Sequence, residues 1–323
     1  MIRFAARRLM AIVPLLWMVL TLVFFLMQLA PGDPFDVEAQ PGVSPGASAA
    51  LREAFGTRRP AAVRYVEWLG RLATGDFGVS PSLRQPVLEL VAQAAANTLR
   101  LSVLALALQF AAGTLLGAVA AAWRGRWIDR LVTSGSSLLY AVPSYWLAMV
   151  LIWIFSVRLG WLPASQMRSL DAQGWPGPQR LGDALRHLLL PCLSLVLPAA
   201  AGVALYVRET LAAAMRRGYV RSAKARGASH GAVVVRHGLR SVLLPVANLA
   251  GLALPGLVAG SAVIEVIFAW PGMGRLAYQA VLAHDQPLVL GCVWLTSLTV
   301  LAGTLAADLV CAAVDPRVRE ATA

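Results

Sequence analysis

Charge is scarce in this sequence, and lysine is almost missing. Only 14% of the 323 residues are charged, against about 25% in a soluble globular domain. The single lysine, Lys224, stands between Ala223 and Ala225. That setting excludes a phosphate-binding P-loop, whose lysine sits in Gly-Lys-Ser/Thr so that it reaches the phosphates. If work here uses ATP, another chain must hydrolyse it. Cysteine is nearly as rare. Cys192, Cys292 and Cys311 all lie in apolar runs without CxxC or Cys/His spacing, so they read as small packing residues rather than disulfide or metal partners. The four histidines, His187, His230, His237 and His284, show no HExxH or related ligand pattern. His187 and His284 are expected near the outer surface. His230 and His237 fall in a basic loop, where a solvated or partner-facing role is expected. No ladder of carboxylates runs through the apolar runs, as ion-coupled carriers often require. Glu265 and Asp308 are the candidates there, and both read as structural hydrogen-bonding groups near helix ends.

What is abundant is apolar surface in long blocks. Hydrophobic residues make up 58% of the chain and the mean hydropathy is positive. A helix needs about 20 such residues to cross a bilayer. Six stretches qualify: Leu9–Ala30, Leu99–Trp123, Leu131–Val157, Leu188–Val207, Val242–Phe268 and Leu288–Val314. The first follows Arg3, Arg7 and Arg8. It is longer than a secretory signal core, about 7–15 residues, and reads as a retained span, with a cleaved signal as the alternative. The fourth is interrupted by Pro191 and Pro198, which membrane helices tolerate when neighbours satisfy the freed carbonyls. The expectation is an all-α membrane protein with six transmembrane helices.

Arginine distribution orients the bundle. The connection after the second span carries Arg124, Arg126 and Arg130. The connection after the fourth carries Arg208, Arg216, Arg217, Arg221, Lys224, Arg226, Arg236 and Arg240. Short loops dense in Lys/Arg stay inside. Both termini are then cytoplasmic, and almost the whole net charge of +12 falls on the inner side. Anionic lipid explains that charge and removes the case for nucleic acid. The chain divides into a cytoplasmic N-terminus with the first span (1–30), an outer segment (31–98), the core of spans (99–314) containing an inner loop (208–241), and a cytoplasmic tail (315–323).

In the outer segment, Val63, Val66, Trp68 and Leu69 allow a short amphipathic helix between Pro60 and Leu72. Trp68 and Phe77 suit a membrane interface. Gly113–Gly117 and Gly256–Gly260 are GxxxG pairs that let helices approach closely, either within the chain or between subunits.

The inner loop is the most distinctive stretch. Tyr219 to Arg226 lacks proline and glycine and favours helix. Gly227 supplies a break, as glycine does just past a helix end. Ser229 can cap a second helix. A helix–turn–helix along the inner membrane face fits two roles: an interfacial connector that binds anionic lipid, or a docking surface. Its length exceeds what a simple link requires, which favours a protein partner.

This loop resembles the EAA loop of ABC importer permeases, in the form found in the dipeptide/oligopeptide/nickel transport subfamily. Gly227 matches the motif glycine. Arg221, Ser222 and Ala223 occupy the triplet positions, so the motif's glutamate is absent. Further resemblances follow in order along the chain: LAPGDP at Leu29–Pro34, GDFGVS at Gly75–Ser80, GWLPAS at Gly160–Ser165, EVIFAWPGMGR at Glu265–Arg275 and DPRVR at Asp315–Arg319.

The resemblance implies the ABC importer permease fold and residence in a bacterial or archaeal cytoplasmic (inner) membrane. It implies a second homologous permease subunit, two cytoplasmic ATPase subunits carrying ATP and Mg, an extracytoplasmic solute-binding protein, and no cofactor in this chain. Tyr219, Arg221, Ser222, Ala223, Lys224, Arg226, Gly227, Ala228 and Ser229 would form the ATPase-coupling region. Trp270, Pro271, Gly272 and Met273 would form an outer loop that contacts the binding protein or closes a gate; a structural turn with an interfacial tryptophan is the alternative. Short peptides lead as solute, with nickel chelates, glutathione and other small solutes open. A secondary carrier and a non-transporting membrane scaffold are the competing functions.

Overall fold

The structure is a computed structural model, and it describes residues 2–29, 59–216, 218, 238–253, 256 and 262–314. The described residues are almost entirely helical. In chain order the helices are α1 (Ile2–Leu29), α2 (Ala61–Ala73), α3 (Val87–Ala122), α4 (Trp127–Ala141), α5 (Ser144–Leu151), α6 (Gly177–Ala214), α7 (Arg240–Ala253), α8 (Ala262–Ile267), α9 (Met273–Leu282) and α10 (Gln286–Val314).

Two long helices form the spine. α3 has 36 residues and α6 has 38, so each extends about 55 Å at about 1.5 Å per residue. That exceeds the roughly 30 Å hydrocarbon core, and both project beyond it. They run parallel and touch closely. A Cβ on Gly113 would lie 2.6 Å from the Ala200 carbonyl oxygen, and one on Gly117 would lie 2.5 Å from that of Ala204. The first GxxxG pair is therefore an intramolecular packing face. Of the second pair, Gly256 is exposed and Gly260 lies outside the described residues.

Pro191 and Pro198 both sit inside α6 without ending it. Among the described residues this helix is the most enclosed of the long apolar helices, because α3 packs along its face through Leu101, Ala105, Val196, Ala200 and Val203.

The third expected span departs from the sequence reading. Leu131–Val157 is not one helix but α4 and a second helical piece, Ser144–Arg158, bent by 101°. Pro143 explains the break. Its ring crowds the preceding residue out of the helical region, and Val142 is extended at φ −82°, ψ 125°. Beyond α5 the chain continues as a π-helical turn, Ile152–Arg158. By length and composition, α3, α6 and the Gln286–Leu305 part of α10 qualify as membrane spans, with the bent pair as a fourth; α1 contributes a shorter apolar stretch, Val13–Leu29.

The amphipathic helix expected in the outer segment is present as α2. It lies on α1, where Phe24, Phe25, Tyr65 and Trp68 form an aromatic cluster with ring centroids 5.2–6.1 Å apart. The Thr21 and Tyr65 hydroxyls share a 2.6 Å hydrogen bond. The Phe77 ring packs edge-on against Trp294, 4.9 Å away. A further core cluster lies where α3, α9 and α10 meet, at Val87, Val91, Met273, Leu288 and Cys292, and another where α5, α6 and α8 meet, at Leu147, Leu151, Leu190, Ile264 and Phe268.

Candidate functional site

Polar side chains gather at the two ends of the α3–α6 spine. Thr98, just before the apolar run of α3 begins at Leu99, marks one level and Ala121 the other. About 35 Å of helix separates them, close to the thickness of a bilayer.

At the first end, the chain turns sharply between α8 and α9 through Trp270-Pro271-Gly272. Glu265, fully buried, organises the turn. Its Oε1 accepts a hydrogen bond from the Thr98 hydroxyl at 2.7 Å, and its Oε2 accepts from the Gly274 N–H at 2.7 Å. Thr98 Oγ1 accepts in turn from the Met273 N–H at 2.8 Å. These hydrogen bonds tie α3, α8 and α9 into one unit. The glycines follow from this. A Cβ on Gly272 would stand 2.5 Å from the Glu265 carboxyl carbon, and one on Gly274 would overlap Ala262.

Trp270 is 1% exposed and packs against Leu101, Ala105, Cys192 and Val196. Its indole N–H donates to the Asn97 carbonyl at 3.1 Å, while Asn97 Nδ2 donates to the Pro271 carbonyl at 3.0 Å. The tryptophan of the turn is a core residue and not an interfacial one. Met273 is buried with it, and Pro271 is the exposed tip.

Two further carboxylates fasten this end. Asp285 caps α10 by accepting from the Leu288 N–H at 3.0 Å, as an N-cap aspartate does. It also accepts from the Ser80 and Ser82 hydroxyls at 2.5 and 2.6 Å. The GDFGVS stretch is thereby pinned to a helix about 200 residues later. Asp183 accepts from the Ser169 hydroxyl at 2.6 Å and stands 3.3 Å from His187 Nε2, one helical turn on. His187 Nδ1 lies 3.0 Å from the Ser165 carbonyl. The GWLPAS stretch is thus held against α6 by a buried histidine. His284 takes a left-handed backbone at φ 51° just before the Asp285 cap.

The opposite end holds a part-buried ion pair. Arg208 on α6 donates to Asp129 on α4 through Nε to Oδ1 at 2.5 Å and Nη2 to Oδ2 at 2.9 Å. Asp129 also accepts from the Gly125 N–H at 2.8 Å. Arg208 pairs further with Glu209, which stands 3.6 Å from Arg124.

The nine residues assigned from sequence to the coupling region, Tyr219, Arg221, Ser222, Ala223, Lys224, Arg226, Gly227, Ala228 and Ser229, lie outside the described residues, as do His230 and His237. Cys192 and Cys292 are free and buried. Asp308 falls within α10. Of the four buried carboxylates among the described residues, Glu265 alone lies in one of the long apolar runs. Asp129, Asp183 and Asp285 stand in the connections between the runs.

Comparison with known proteins covers nearly the whole chain. Residues 113–320 match the family described as "Binding-protein-dependent transport system inner membrane component". Residues 1–102 match "Binding-prot-dependent transport system membrane comp, N-term". The chain is 33% identical over 319 residues to the oligopeptide transport system permease protein AppB of Bacillus subtilis (strain 168), covering 98% of this chain and 99% of the relative. It is 34% identical to the glutathione transport system permease protein GsiC of Salmonella typhimurium (strain LT2), covering 99% of each. The Escherichia coli (strain K12) protein of the same name is 33% identical over the same share.

Proposed function

The chain belongs to the family of binding-protein-dependent transport system inner membrane components, and on that premise we propose that it forms half of a solute pathway driven through segment 208–241. It is a multi-pass inner-membrane protein and the permease subunit of a binding-protein-dependent ABC importer, without an ATPase domain of its own.

The proposal adds the machinery around it. Six spans place both termini in the cytoplasm. A second homologous permease completes the pathway, and two ATPase subunits hold ATP and Mg. A solute-binding protein delivers from outside. Tyr219 to Ser229 seats in a cleft of one ATPase, with Gly227 at the turn and Arg221, Lys224 and Arg226 facing its acidic residues or lipid phosphates. ATP closes the ATPase pair, the segment carries the displacement into the spans, and the bundle opens outward; hydrolysis reverses it. Such a cycle requires that nucleotide binding favour one of two bundle arrangements. The Trp270–Met273 turn forms part of the outer rim, with Pro271 as the tip that meets the binding protein. The names of the relatives, oligopeptide and glutathione permeases, support short peptides, glutathione included, as the solute.

One observation carries this reading beyond the family. The described residues that flank 217–237, Leu211 and Met215 before it and Val242 and Val246 after it, share one apolar cluster with Ala121 of α3. A segment rooted that way transmits force to three helices at once. The carrier alternative needs ionisable groups at mid-membrane. The buried carboxylates among the described residues, Asp129, Asp183, Glu265 and Asp285, are each already engaged by hydrogen bonds within the chain.

The test is Gly227→Asp in the assembled transporter. The expected result is normal membrane insertion and ATP hydrolysis without uptake; uptake at the unsubstituted rate sinks the coupling assignment.

A further inference from the structure

Segment 217–237 departs after Arg216 and returns at Gly238. Its departing leg is anchored by Leu211 and Met215, its returning leg by Val242, Val246 and Leu249, all in one apolar cluster. Apolar packing is non-directional. It keeps the legs together without fixing how they point.

Direction comes from Arg208 and Asp129. The guanidinium grips both carboxylate oxygens, and such forked pairing specifies orientation as well as distance. Asp129 is fixed in turn by the Gly125 N–H and by the Thr133 hydroxyl at 3.3 Å. Gly125 adopts φ 81° in the tight connection between α3 and α4. The two side chains are 4% and 18% exposed, so salt screens them weakly. Replacing a buried pair by apolar groups is often neutral for stability, which directs attention to geometry.

We propose that the Asp129–Arg208 pair is a positioning contact for energy coupling. It locks the departing leg of the segment to the α3–α4 connection, so that both move as one body when the segment is displaced. This rests on the reading of the segment as the ATPase contact.

The experiment uses the assembled transporter with a fluorophore on Leu170→Cys, an exposed site at the opposite end of the spine, in a Cys311→Ser background; Cys192 and Cys292 are buried. A non-hydrolysable ATP analogue is added, and the fluorescence change is read per analogue bound. Asp129→Asn and Arg208→Gln should retain the ATPase subunits through purification, yet lose about tenfold in that change, within the range typical of coupling between sites. Arg208→Lys should fall between, since an ammonium cannot make the fork. The exchange Asp129→Arg with Arg208→Asp should recover most of the signal. A full-sized change in both single variants, or no recovery in the exchange, overturns the proposal. So does loss of the ATPase subunits from all three single variants, which assigns the pair to assembly. Gly227→Asp separates the layers. If it leaves the change intact, the coupling segment itself is misread; if it abolishes the change while the pair variants keep it, only the pair proposal fails.

Discussion

Adding one methyl group to the α3–α6 seam should weaken the bundle, although alanine is the better helix former. A Cβ at Gly113 would meet the Ala200 carbonyl oxygen and Val203 Cβ at 2.6 Å; at Gly117 it would meet the Ala204 carbonyl oxygen at 2.5 Å and Val207 Cβ at 2.7 Å. Ordinary contact begins near 3.4 Å, so the helices must part by about 0.8 Å. The backbone carbonyls among these atoms cannot be moved by any rotamer change. A gap of about 0.5–1 Å forfeits a quarter to a half of each dispersion contact it opens. Overpacking of this kind costs about 1–3 kcal/mol. Against it stands a helix-propensity gain of about 1 kcal/mol for glycine to alanine, which leaves each single variant roughly neutral to 2 kcal/mol destabilised. The double variant should lose less than the sum, because one separation relieves both clashes. Gly70→Ala is the control. Gly70 lies on exposed α2 with no atom near its missing Cβ, so the same change should be stabilising, by up to about 1 kcal/mol. Unfolding of the purified chain in mixed micelles by increasing SDS reads both signs. Stabilisation at Gly113 and Gly117 as large as at Gly70 would refute the close approach of the two helices.

The outer staples make two further predictions. Glu265→Ala removes the acceptor of the Thr98 and Gly274 bonds and should destabilise by about 2–6 kcal/mol, since each buried donor left without its acceptor costs about 1–3 kcal/mol; thermal unfolding should show it, with earlier proteolysis of the Trp270–Met273 turn. Asp285→Ala removes a helix cap, worth about 0.5–2 kcal/mol, and releases two serines. Hydrogen exchange should rise at residues 80–83 and in the first turn of α10, while α4 remains unchanged.

Much of this architecture is legible in the sequence because hydropathy is written in long blocks. The apolar runs locate α1, α3, α6 and α10, and the spacing of Val63, Val66 and Leu69 locates α2. Hydropathy sums a window and carries no direction, so it does not register the chain folding back at Val142–Pro143. For the same reason α6 looks weak in the sequence and is well enclosed in the structure. Proline breaks a helix that lacks support, and whether α3 lies alongside is not a local property. The carboxylates divide in the same way. Asp183 with His187 four residues on, and Asp285 two residues before Pro287 at a helix start, are local patterns that the sequence does carry. Asp129 and Arg208 are 79 residues apart, and no pattern along the chain joins them. The glycines of WPGMG look like turn chemistry, yet what requires them is the Glu265 carboxylate beneath and the close approach of Ala262.

Reconstitution tests the central claim most directly. The chain is placed in proteoliposomes with its partner permease, ATPase subunits and binding protein, and uptake of labelled tripeptide and glutathione is followed with and without enclosed ATP. Uptake should require ATP and should vanish when the ATPase subunits are omitted. Uptake by the permeases alone, driven by a proton or sodium gradient, would contradict the account.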